Sequence, residues 1–296
     1  MAKIVNRHNA PGPLIRYANS KQYDAGESDF TATSLIDEPR IKILTEKYED
    51  EIEDDPYESP WKYLSTIFHA LMAGAAGDNE ISEERIFTTF EDQIISGAMD
   101  LQKVMRDDQD NFGVIIGDYK MTGAYSLKDT LKWEQQLNIY AWLLEREKPH
   151  LKVIGLEIYA FIRDWSMATS ERSHDYPTTP GVTVDLHLWS FEEREAYVSE
   201  RLKAHLDARE NLPECSHEGR WPSGKSWQVW EGNDLIGTFR LKRDATAALA
   251  DDDADMESVI GRYRRCESFC PVAGHCDQYK DWQASRLPGF SKADNT

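Results

Sequence analysis

The chain has 296 residues, 40% of them hydrophobic and 11% aromatic, which is enough for one large core and a smaller appendage. Its formal net charge of −19 excludes a protein that holds nucleic acid by bulk electrostatics, since such binding requires lysine and arginine to displace counterions from phosphates. No apolar run approaches the roughly 20 residues of a membrane helix, and the N-terminal residues lack the apolar segment of a signal peptide. We therefore expect a soluble, cytoplasmic protein with no membrane partner.

Much of the negative charge lies in two blocks, Glu49 to Glu58 and Asp251 to Glu257. Closely spaced like charges favour solvated loops, so both blocks are predicted at the surface. The first 30 residues mix proline, glycine and polar residues and predict an extended arm. Ser34 to Tyr48 predicts a short helical segment that is interrupted at Pro39.

The next part of the chain predicts a helix followed by a meander of three strands. The helix begins at Pro60, carries His69 and has a broad apolar face made of Trp61, Leu64, Ile67, Phe68 and Leu71. Strands are predicted over Ile86 to Phe90, Ile94 to Leu101 and Val114 to Lys120, with residues 107–111 as a loop.

Further helices and a strand follow the meander. Thr130 to Glu145 predicts a helix, and Val153 to Ile162 predicts a strand that is apolar enough for the interior of a sheet. Ser190 to Asn211 predicts a long helix that begins with a capping box, formed by Ser190 and Glu193.

The segment from Val114 to Lys120, Val-Ile-Ile-Gly-Asp-Tyr-Lys, predicts a buried strand that ends in two charged residues. Because side chains alternate along a strand, Asp118 and Lys120 are predicted on one face. Burying a carboxylate and an ammonium group costs several kcal/mol unless each finds a partner, and a metal ion with its bound water would provide both partners. A salt bridge at the end of a strand is the alternative explanation.

Asp100 ends the preceding predicted strand, at the open end of the hairpin, where it would lie near Asp118. Two carboxylates so placed form the oxygen-rich site that Mg²⁺ or Mn²⁺ prefers, and without a metal their repulsion would raise the pKa of one of them. Gln136 and Tyr140 are four residues apart and share a face of their helix. The alternative for these two is a core tyrosine and a surface glutamine.

These residues form a series of motifs that resembles a known family. The series is His69 on a helix, Gly97-x-x-Asp100, Asp118-x-Lys120 and Gln136-x-x-x-Tyr140. In order and spacing it is similar to the motifs of the RecB-like nucleases of the PD-(D/E)XK superfamily, which include the CRISPR-adaptation exonucleases and phage-encoded relatives. The resemblance covers residues 60–165 and implies an α/β fold with a PD-(D/E)XK core, a central mixed sheet flanked by helices.

The resemblance also implies a metal-dependent phosphodiesterase. Asp100 and Asp118 would hold Mg²⁺ or Mn²⁺, with His69 and the carbonyl of Tyr119 completing the site. Lys120 would orient or deprotonate the attacking water and stabilise negative charge on the phosphate.

In the same resemblance, Gln136 and Tyr140 would position the metal, the lysine or the substrate. Asp118 stands where many members of the superfamily carry glutamate, and Glu84 is a weaker acidic candidate.

Four cysteines form a second candidate site, namely Cys215, Cys266, Cys270 and Cys276. The last three are spaced C-x3-C-x5-C, which predicts metal ligands rather than a disulfide framework. Thiolates suit either Zn²⁺ or an iron–sulfur cluster, and the spacing does not decide between them.

The adaptation-type nucleases hold a 4Fe-4S cluster with a C-terminal cysteine trio, so the resemblance implies the cluster. Their first cysteine usually precedes the nuclease core, however, whereas Cys215 follows it. His217 and His275 lie next to cysteines and keep Zn²⁺ as the alternative.

Between Cys215 and Cys266 the sequence predicts a β-hairpin and a short helix. Trp227 to Trp230 and Leu235 to Leu241 flank a Gly-Asn turn, and Asp244 to Leu249 predicts the helix. The tryptophans, including Trp221, would stack on bases or form the core of this insert. A basic cluster of Arg262, Arg264 and Arg265 would contact phosphate or remain solvated.

We therefore predict an N-terminal arm with a short helix (1–59), a nuclease core (60–212), a cysteine subdomain with a hairpin insert (213–286) and a tail (287–296). The predicted function is metal-dependent hydrolysis of DNA by an exonuclease that acts on ends or single strands. The predicted process is phage or bacterial recombination, replication or repair. DNA and recombination or replication proteins would be its partners. The preference for ends rests on family analogy alone. The alternatives are a non-catalytic DNA- or protein-binding assembly factor with a retained nuclease fold, and a metal-dependent hydrolase of another class.

Overall fold

A computed structural model describes residues 2–20, 26–106, 112–249 and 254–291. The strands in these residues are β1 (Lys3–Ile4), β2 (Phe30–Thr31), β3 (Glu53–Asp54), β4 (Glu80–Phe90), β5 (Gln93–Arg106), β6 (Phe112–Thr122), β7 (Lys152–Ile162), β8 (Gly181–Leu186), β9 (Pro222–Glu231), β10 (Asp234–Phe239) and β11 (Ala254–Tyr263). The helices are α1 (Gly12–Ser20), α2 (Ala32–Leu35), α3 (Pro39–Lys47), α4 (Pro60–Ala73), α5 (Leu131–Glu147), α6 (Met167–Ser170), α7 (Phe191–Asp207), α8 (Lys242–Ala247), α9 (Arg264–Ser268) and α10 (Asp277–Ala284). Short 3-10 helices span Ala124–Lys128, Glu218–Arg220 and Ala273–His275.

Four predictions fall wholly or partly outside the described residues: the N-terminal arm at residues 1 and 21–25, the loop at 107–111, the start of the second acidic block at 251–253, and the end of the tail at 292–296. Of the helices that the structure describes, none is long and apolar enough to cross a membrane.

The chain divides into two compact units. The first, which we call the sheet unit, comprises Ile4–Ile36 and Asp54–Leu206. The second, the cysteine unit, comprises Met1–Lys3, Asp37–Glu53 and Asp207–Thr296. Residues 37–53, which the sequence analysis placed in the N-terminal arm, therefore group with the C-terminal third.

The sheet unit is built on a mixed β-sheet. Strands β4, β5 and β6 form the predicted antiparallel meander. The chain then crosses through α5 to β7, which runs parallel to β6, and β8 is antiparallel to β7. The short strand β2 pairs in parallel with Ile95 and Ser96 of β5. The predicted α/β class, with a central mixed sheet flanked by helices, is therefore confirmed.

Helix α5 is the main packing element of the sheet unit. All ten residues from 136 to 145 are buried, and their apolar members pack on β-branched and leucine side chains of the sheet, including Ile116, Leu156 and Ile158. Burying each such side chain contributes about 1.5–3 kcal/mol. The buried Glu145 of α5 pairs with Arg194 of α7 at 2.7 Å.

The predicted capping box starts α7. Ser190 Oγ accepts a hydrogen bond from the Glu193 amide, and Glu193 Oε2 accepts one from the Ser190 amide, at 3.2 and 2.8 Å. The predicted break at Pro39 is also present, since Pro39 is the first residue of α3. The prediction of an extended arm over the first 30 residues was wrong, because Gly12–Ser20 forms the helix α1.

Helix α4 forms as predicted, but its apolar face is largely unburied. Trp61, Leu64, Ile67 and Leu71 are all exposed, whereas Tyr63 is buried. Phe68 is the member of the predicted face that packs inward, edge-on against Tyr119 and Phe161.

The cysteine unit contains an antiparallel sheet with the strand order β10-β9-β11. Strands β9 and β10 are the predicted hairpin, and the buried Trp230 belongs to the packed interior. Residues 254–257 of the second acidic block lie in β11 rather than in a loop. A separate small core joins Leu44 and Ile52 to Val272 and Cys276.

We predict that Gly97→Ala destabilises the protein. A Cβ atom at Gly97 would lie 2.7 Å from ring carbons of Tyr140 and 2.8 Å from Leu143, and such overpacking costs about 1–3 kcal/mol. The measurement is the free energy of unfolding in urea. Gly181→Ala is the control, because a Cβ atom there meets nothing within 4 Å. Equal stability of the two variants would contradict the close approach of α5 to β5.

Candidate functional site

Strands β5 and β6 separate at the residues that the sequence motifs single out. Their pairing ends with Leu101 opposite Gly117, and β6 then continues beside β7. Asp100 and Asp118 are the next residues on each strand, so both lie at the fork. Their side chains are 9% and 2% exposed, respectively.

Asp118, Lys120, Gln136 and Tyr140 form one hydrogen-bonded group. Lys120 Nζ lies 2.7 Å from Asp118 Oδ2 and donates to Gln136 Oε1 at 3.1 Å. Gln136 Nε2 donates to Asp118 Oδ1 at 3.3 Å and to the Tyr140 hydroxyl at 2.8 Å. Asp118 and Lys120 therefore share a face, as alternation predicts, and Gln136 is buried rather than a surface residue.

Burial, with a smaller contribution from the charge of Asp100, raises the pKa of Asp118 to about 6 against the opposing effect of the Lys120 charge. Repulsion between the two carboxylates predicted a raised pKa for one of them. The direction is confirmed, but loss of solvation is the larger cause.

Asp100 connects the fork to helix α4. Its Oδ2 accepts a hydrogen bond from the Tyr119 amide at 2.8 Å, which satisfies a strand donor at the fork. Its Oδ1 lies 3.3 Å from His69 Nδ1, and Glu83 Oε1 lies 3.6 Å from the same nitrogen. The structure thus brings His69 to the carboxylates, as the motif order implied.

Glu83 is a site residue that the sequence analysis missed. One ligand atom from each of His69, Glu83 and Asp100 lies within 4.8 Å of the other two. The neighbouring Glu84, the acidic candidate named from the sequence, instead pairs with Lys148 at 2.6 Å and accepts from Gln102 at 2.7 Å.

The backbone of Glu83 is strained. Its φ is +54°, a conformation that costs a residue with a side chain about 1–3 kcal/mol. In the β4–β5 register Ser82 pairs with Leu101 and Glu84 with Met99, so Glu83 and Asp100 lie between these pairs with their two carboxylates close together. A cation between these groups would offset both costs. The sequence Ser82-Glu83-Glu84-Arg85 carries no signal for this backbone reversal.

A groove of about 510 Å³ opens beside the carboxylates. His69, Glu83, Asp100 and Tyr140 line this groove. The lining also contains hydroxyl and cationic side chains, namely Thr31, Thr33, Ser65, Thr66, Lys62 and Arg85. Such groups are the usual partners of phosphate oxygens. A larger shallow groove of about 940 Å³ lies elsewhere, around Phe87 and Arg146, and holds none of the motif residues.

The cysteine unit brings its four cysteines to one cavity. Cys215, Cys266, Cys270 and Cys276 all line it, and all four are free thiols. Burial raises the pKa of Cys215 to about 12 and also raises that of Cys270, and the neighbouring cysteines add to both shifts. Thiols grouped in this way require a bound cation to become thiolates together.

The two histidines near the cysteines have other partners. His217 Nδ1 lies 3.1 Å from the Tyr263 hydroxyl, and His275 stacks on Tyr48 with its Nδ1 3.8 Å from Glu51. Neither lines the cysteine cavity.

The predicted basic cluster is partly ion-paired. Arg265 pairs with Asp37 at 2.5 Å and Arg262 with Glu267 at 3.0 Å. Trp221 packs on Phe269, with the Arg265 guanidinium 5.4 Å from its ring centre.

We predict that His69 titrates near pH 10 in the metal-free protein. Hydrogen bonds to Asp100 and then to Glu83 raise its pKa from 6.5 to about 10. Glu83→Gln removes one carboxylate and lowers this pKa, whereas Glu84→Gln leaves it unchanged. The measurement is the pH dependence of the imidazole NMR signals.

The same shift fixes the sign of a stability effect. Because the folded-state pKa lies above the unfolded one, the contribution of His69 is complete below about pH 6.5 and is lost as pH rises through about 10. Glu83→Gln reduces this loss. An identical loss in wild type and Glu83→Gln would contradict the contact between Glu83 and His69.

The chain was also compared with known proteins. No model of a protein family matches it, and no curated protein matches its sequence. Nine chains of solved structures match, among them the crystal structure of SSO0001. That structure is 14% identical, with a TM-score of 0.42, and the alignment covers 64% of this chain and 82% of the other. At this level of similarity the match does not bear on function.

Proposed function

We propose that the protein is a divalent-metal-dependent DNA nuclease with a PD-(D/E)XK core of the RecB-like type, acting as an exonuclease on ends or single strands. One observation carries the proposal: Asp118 and Lys120 are held by Gln136 at a strand fork, with Asp100 across it. The order of elements supports the same proposal, since an antiparallel meander is followed by a helical crossover to a parallel strand.

The carboxylates at the fork fit a divalent cation. His69, Glu83 and Asp100 offer one nitrogen and two carboxylate oxygens that lie within 4.8 Å of one another. Asp118 and the Tyr119 carbonyl are further candidate ligands from the family resemblance. Oxygen-rich sites of this kind suit Mg²⁺ or Mn²⁺. When bound, such an ion supplies Lewis acidity at the phosphate and lowers the pKa of water.

The protein groups around the fork have separate tasks in this proposal. Lys120 orients the attacking water and stabilises negative charge that develops on the phosphate. Gln136 accepts from the lysine and donates to Asp118, so it fixes the distance between the ammonium and carboxylate groups. Tyr140 fixes the orientation of the Gln136 amide, which makes both of them positioning residues.

The substrate contact is local in this proposal. A net charge of −19 prevents general attraction of DNA, so the hydroxyl and cationic groups of the groove provide the contacts to phosphate. A role in phage or bacterial recombination, replication or repair, with partner proteins from those processes, rests on the family resemblance.

We predict cleavage of end-labelled single- or double-stranded DNA with Mn²⁺ or Mg²⁺ but not with EDTA. Asp118→Asn reduces the rate by at least about 100-fold, because it removes a negative ligand at the site of charge development. Lys120→Ala has a comparable effect on the rate while metal affinity persists. A ladder of shortened products indicates attack from an end.

Glu84→Gln is the matched control, since Glu84 is an acidic strand residue that pairs with Lys148. It should cleave at the wild-type rate. Absence of cleavage by folded, metal-loaded wild type on all of these substrates would reject the nuclease and favour the binding or assembly factor.

We propose further that the four cysteines hold a 4Fe-4S cluster. All four line one cavity, and their C-terminal trio resembles that of the adaptation-type nucleases, which supports the cluster. Thiolates also suit Zn²⁺, which is the alternative.

We predict that anaerobically purified protein contains iron and sulfide in equal amounts and shows the visible absorption of thiolate-bound iron. Cys270→Ser loses both, whereas His217→Ala retains them because His217 does not line the cavity. Chelation of the metal lowers the melting temperature, since the bound centre stabilises the folded cysteine unit. Stoichiometric zinc in place of iron would reject the cluster.

A further inference from the structure

The cysteine cavity contains a buried guanidinium group with unsatisfied donors. Arg220 ends the 3-10 helix Glu218–Arg220 and is 8% exposed. Its Nε and Nη2 atoms make no hydrogen bond within the residues that the structure describes. The guanidinium carbon lies 3.5 Å from the ring centre of Tyr263.

The two other arginines of the cavity have carboxylate partners. Arg40 forms an ion pair with Asp277 and donates to the Pro213 carbonyl at 3.0 Å, although its Nε also makes no hydrogen bond among the described residues. Arg265 pairs with Asp37. For Arg220, the described part of the chain offers no carboxylate at ion-pair distance. Stacking on Tyr263 offsets only part of the cost of burying its charge.

The cysteines are the groups of the cavity that can become anionic. Cys266 lies on α9, which packs against the helix that carries Arg220, and Arg265 donates back to the Gly219 carbonyl at 3.3 Å. Four thiolates outweigh the charge of the iron–sulfur core that they hold, so the assembled centre is an anion. It would give the buried guanidinium both a counter-charge and acceptors.

We propose that Arg220 donates hydrogen bonds to the thiolate-bound cluster and raises its reduction potential. This inference rests on the cluster proposed above. Reduction adds negative charge to the cluster, and a fixed cation with N–H donors beside the sulfurs stabilises the reduced form more than the oxidised form. Arginine suits this position because its planar group stacks on Tyr263 while its edge keeps several donors.

The test is a redox titration of anaerobically purified full-length protein with dithionite, followed by electron paramagnetic resonance. In Arg220→Gln the ratio of reduced to oxidised cluster falls about tenfold at the potential where the wild-type cluster is half reduced. This is 59 mV for a one-electron couple. In Arg220→Lys, which keeps the charge but not the planar fork, the ratio falls by less.

Arg262→Gln is the matched control, because Arg262 is an exposed arginine of β11 that pairs with Glu267. It keeps the wild-type potential. Iron and sulfide content and circular dichroism are measured on every variant. If Arg220→Gln loses its iron, Arg220→Lys decides the question.

Each outcome bears on one of the two proposals. A wild-type protein that contains zinc or no metal would overturn the cluster and this inference with it. If Arg220→Gln keeps an intact cluster with the wild-type reduction potential, the role of Arg220 is overturned but the cluster is not. If Arg220→Gln loses its iron, the same result in Arg220→Lys has this consequence. A lowered potential at full iron content, together with an unchanged potential in Arg262→Gln, would support it.

Discussion

The separation of β5 from β6 beyond Leu101 and Gly117 is the constraint on which the sheet unit depends. Two strands that part leave backbone donors without ladder partners, and the Tyr119 amide is satisfied instead by the Asp100 carboxylate. The gap also admits side chains from α5, so that Gln136 reaches Asp118 and Lys120. Gly97 allows this approach, because a Cβ atom there would collide with the Tyr140 ring. The separation of β5 from β6, the packing of α5 on the sheet and the burial of the two carboxylates therefore depend on one another.

Charge balance at the fork connects this arrangement to chemistry. Lys120 neutralises Asp118, and His69 lies between Asp100 and Glu83. A metal-ligating imidazole must be neutral, so a divalent ion bound between these carboxylates, as we propose, would displace the proton of His69. Protons and the proposed metal ion would then compete for the contacts that raise the pKa of His69. The proposed metal site and the pH dependence of stability in the metal-free protein would therefore involve the same three side chains, His69, Glu83 and Asp100.

The cysteine unit has only a small hydrophobic core. Its small core brings Leu44 and Ile52 from residues 37–53 together with Val272 and Cys276 from the C-terminal third. Small cores of this kind are marginal without added constraints, and a bound metal centre is one such constraint. The cavity places free thiols beside a buried guanidinium, an unfavourable combination until the thiols become anionic. In this unit we therefore expect folding and assembly of the centre to be coupled.

The sequence by itself determined the features that depend on local patterns. Strand alternation placed Asp118 and Lys120 on one face, helical spacing placed Gln136 beside Tyr140, and the Ser190 capping box marked the start of α7. Only the tertiary structure decided the position of Glu83 beside His69 and Asp100. The alternation of β5 reverses between Gly97, which faces α5, and Leu101, which packs with Gly117 and Tyr159 on the other face. This reversal lies between Gly97 and Leu101, in the part of β5 that pairs with the β4 segment around the left-handed Glu83. The exposed face of α4 and the grouping of residues 37–53 with the C-terminal third are likewise decided by non-local contacts, which no local periodicity encodes.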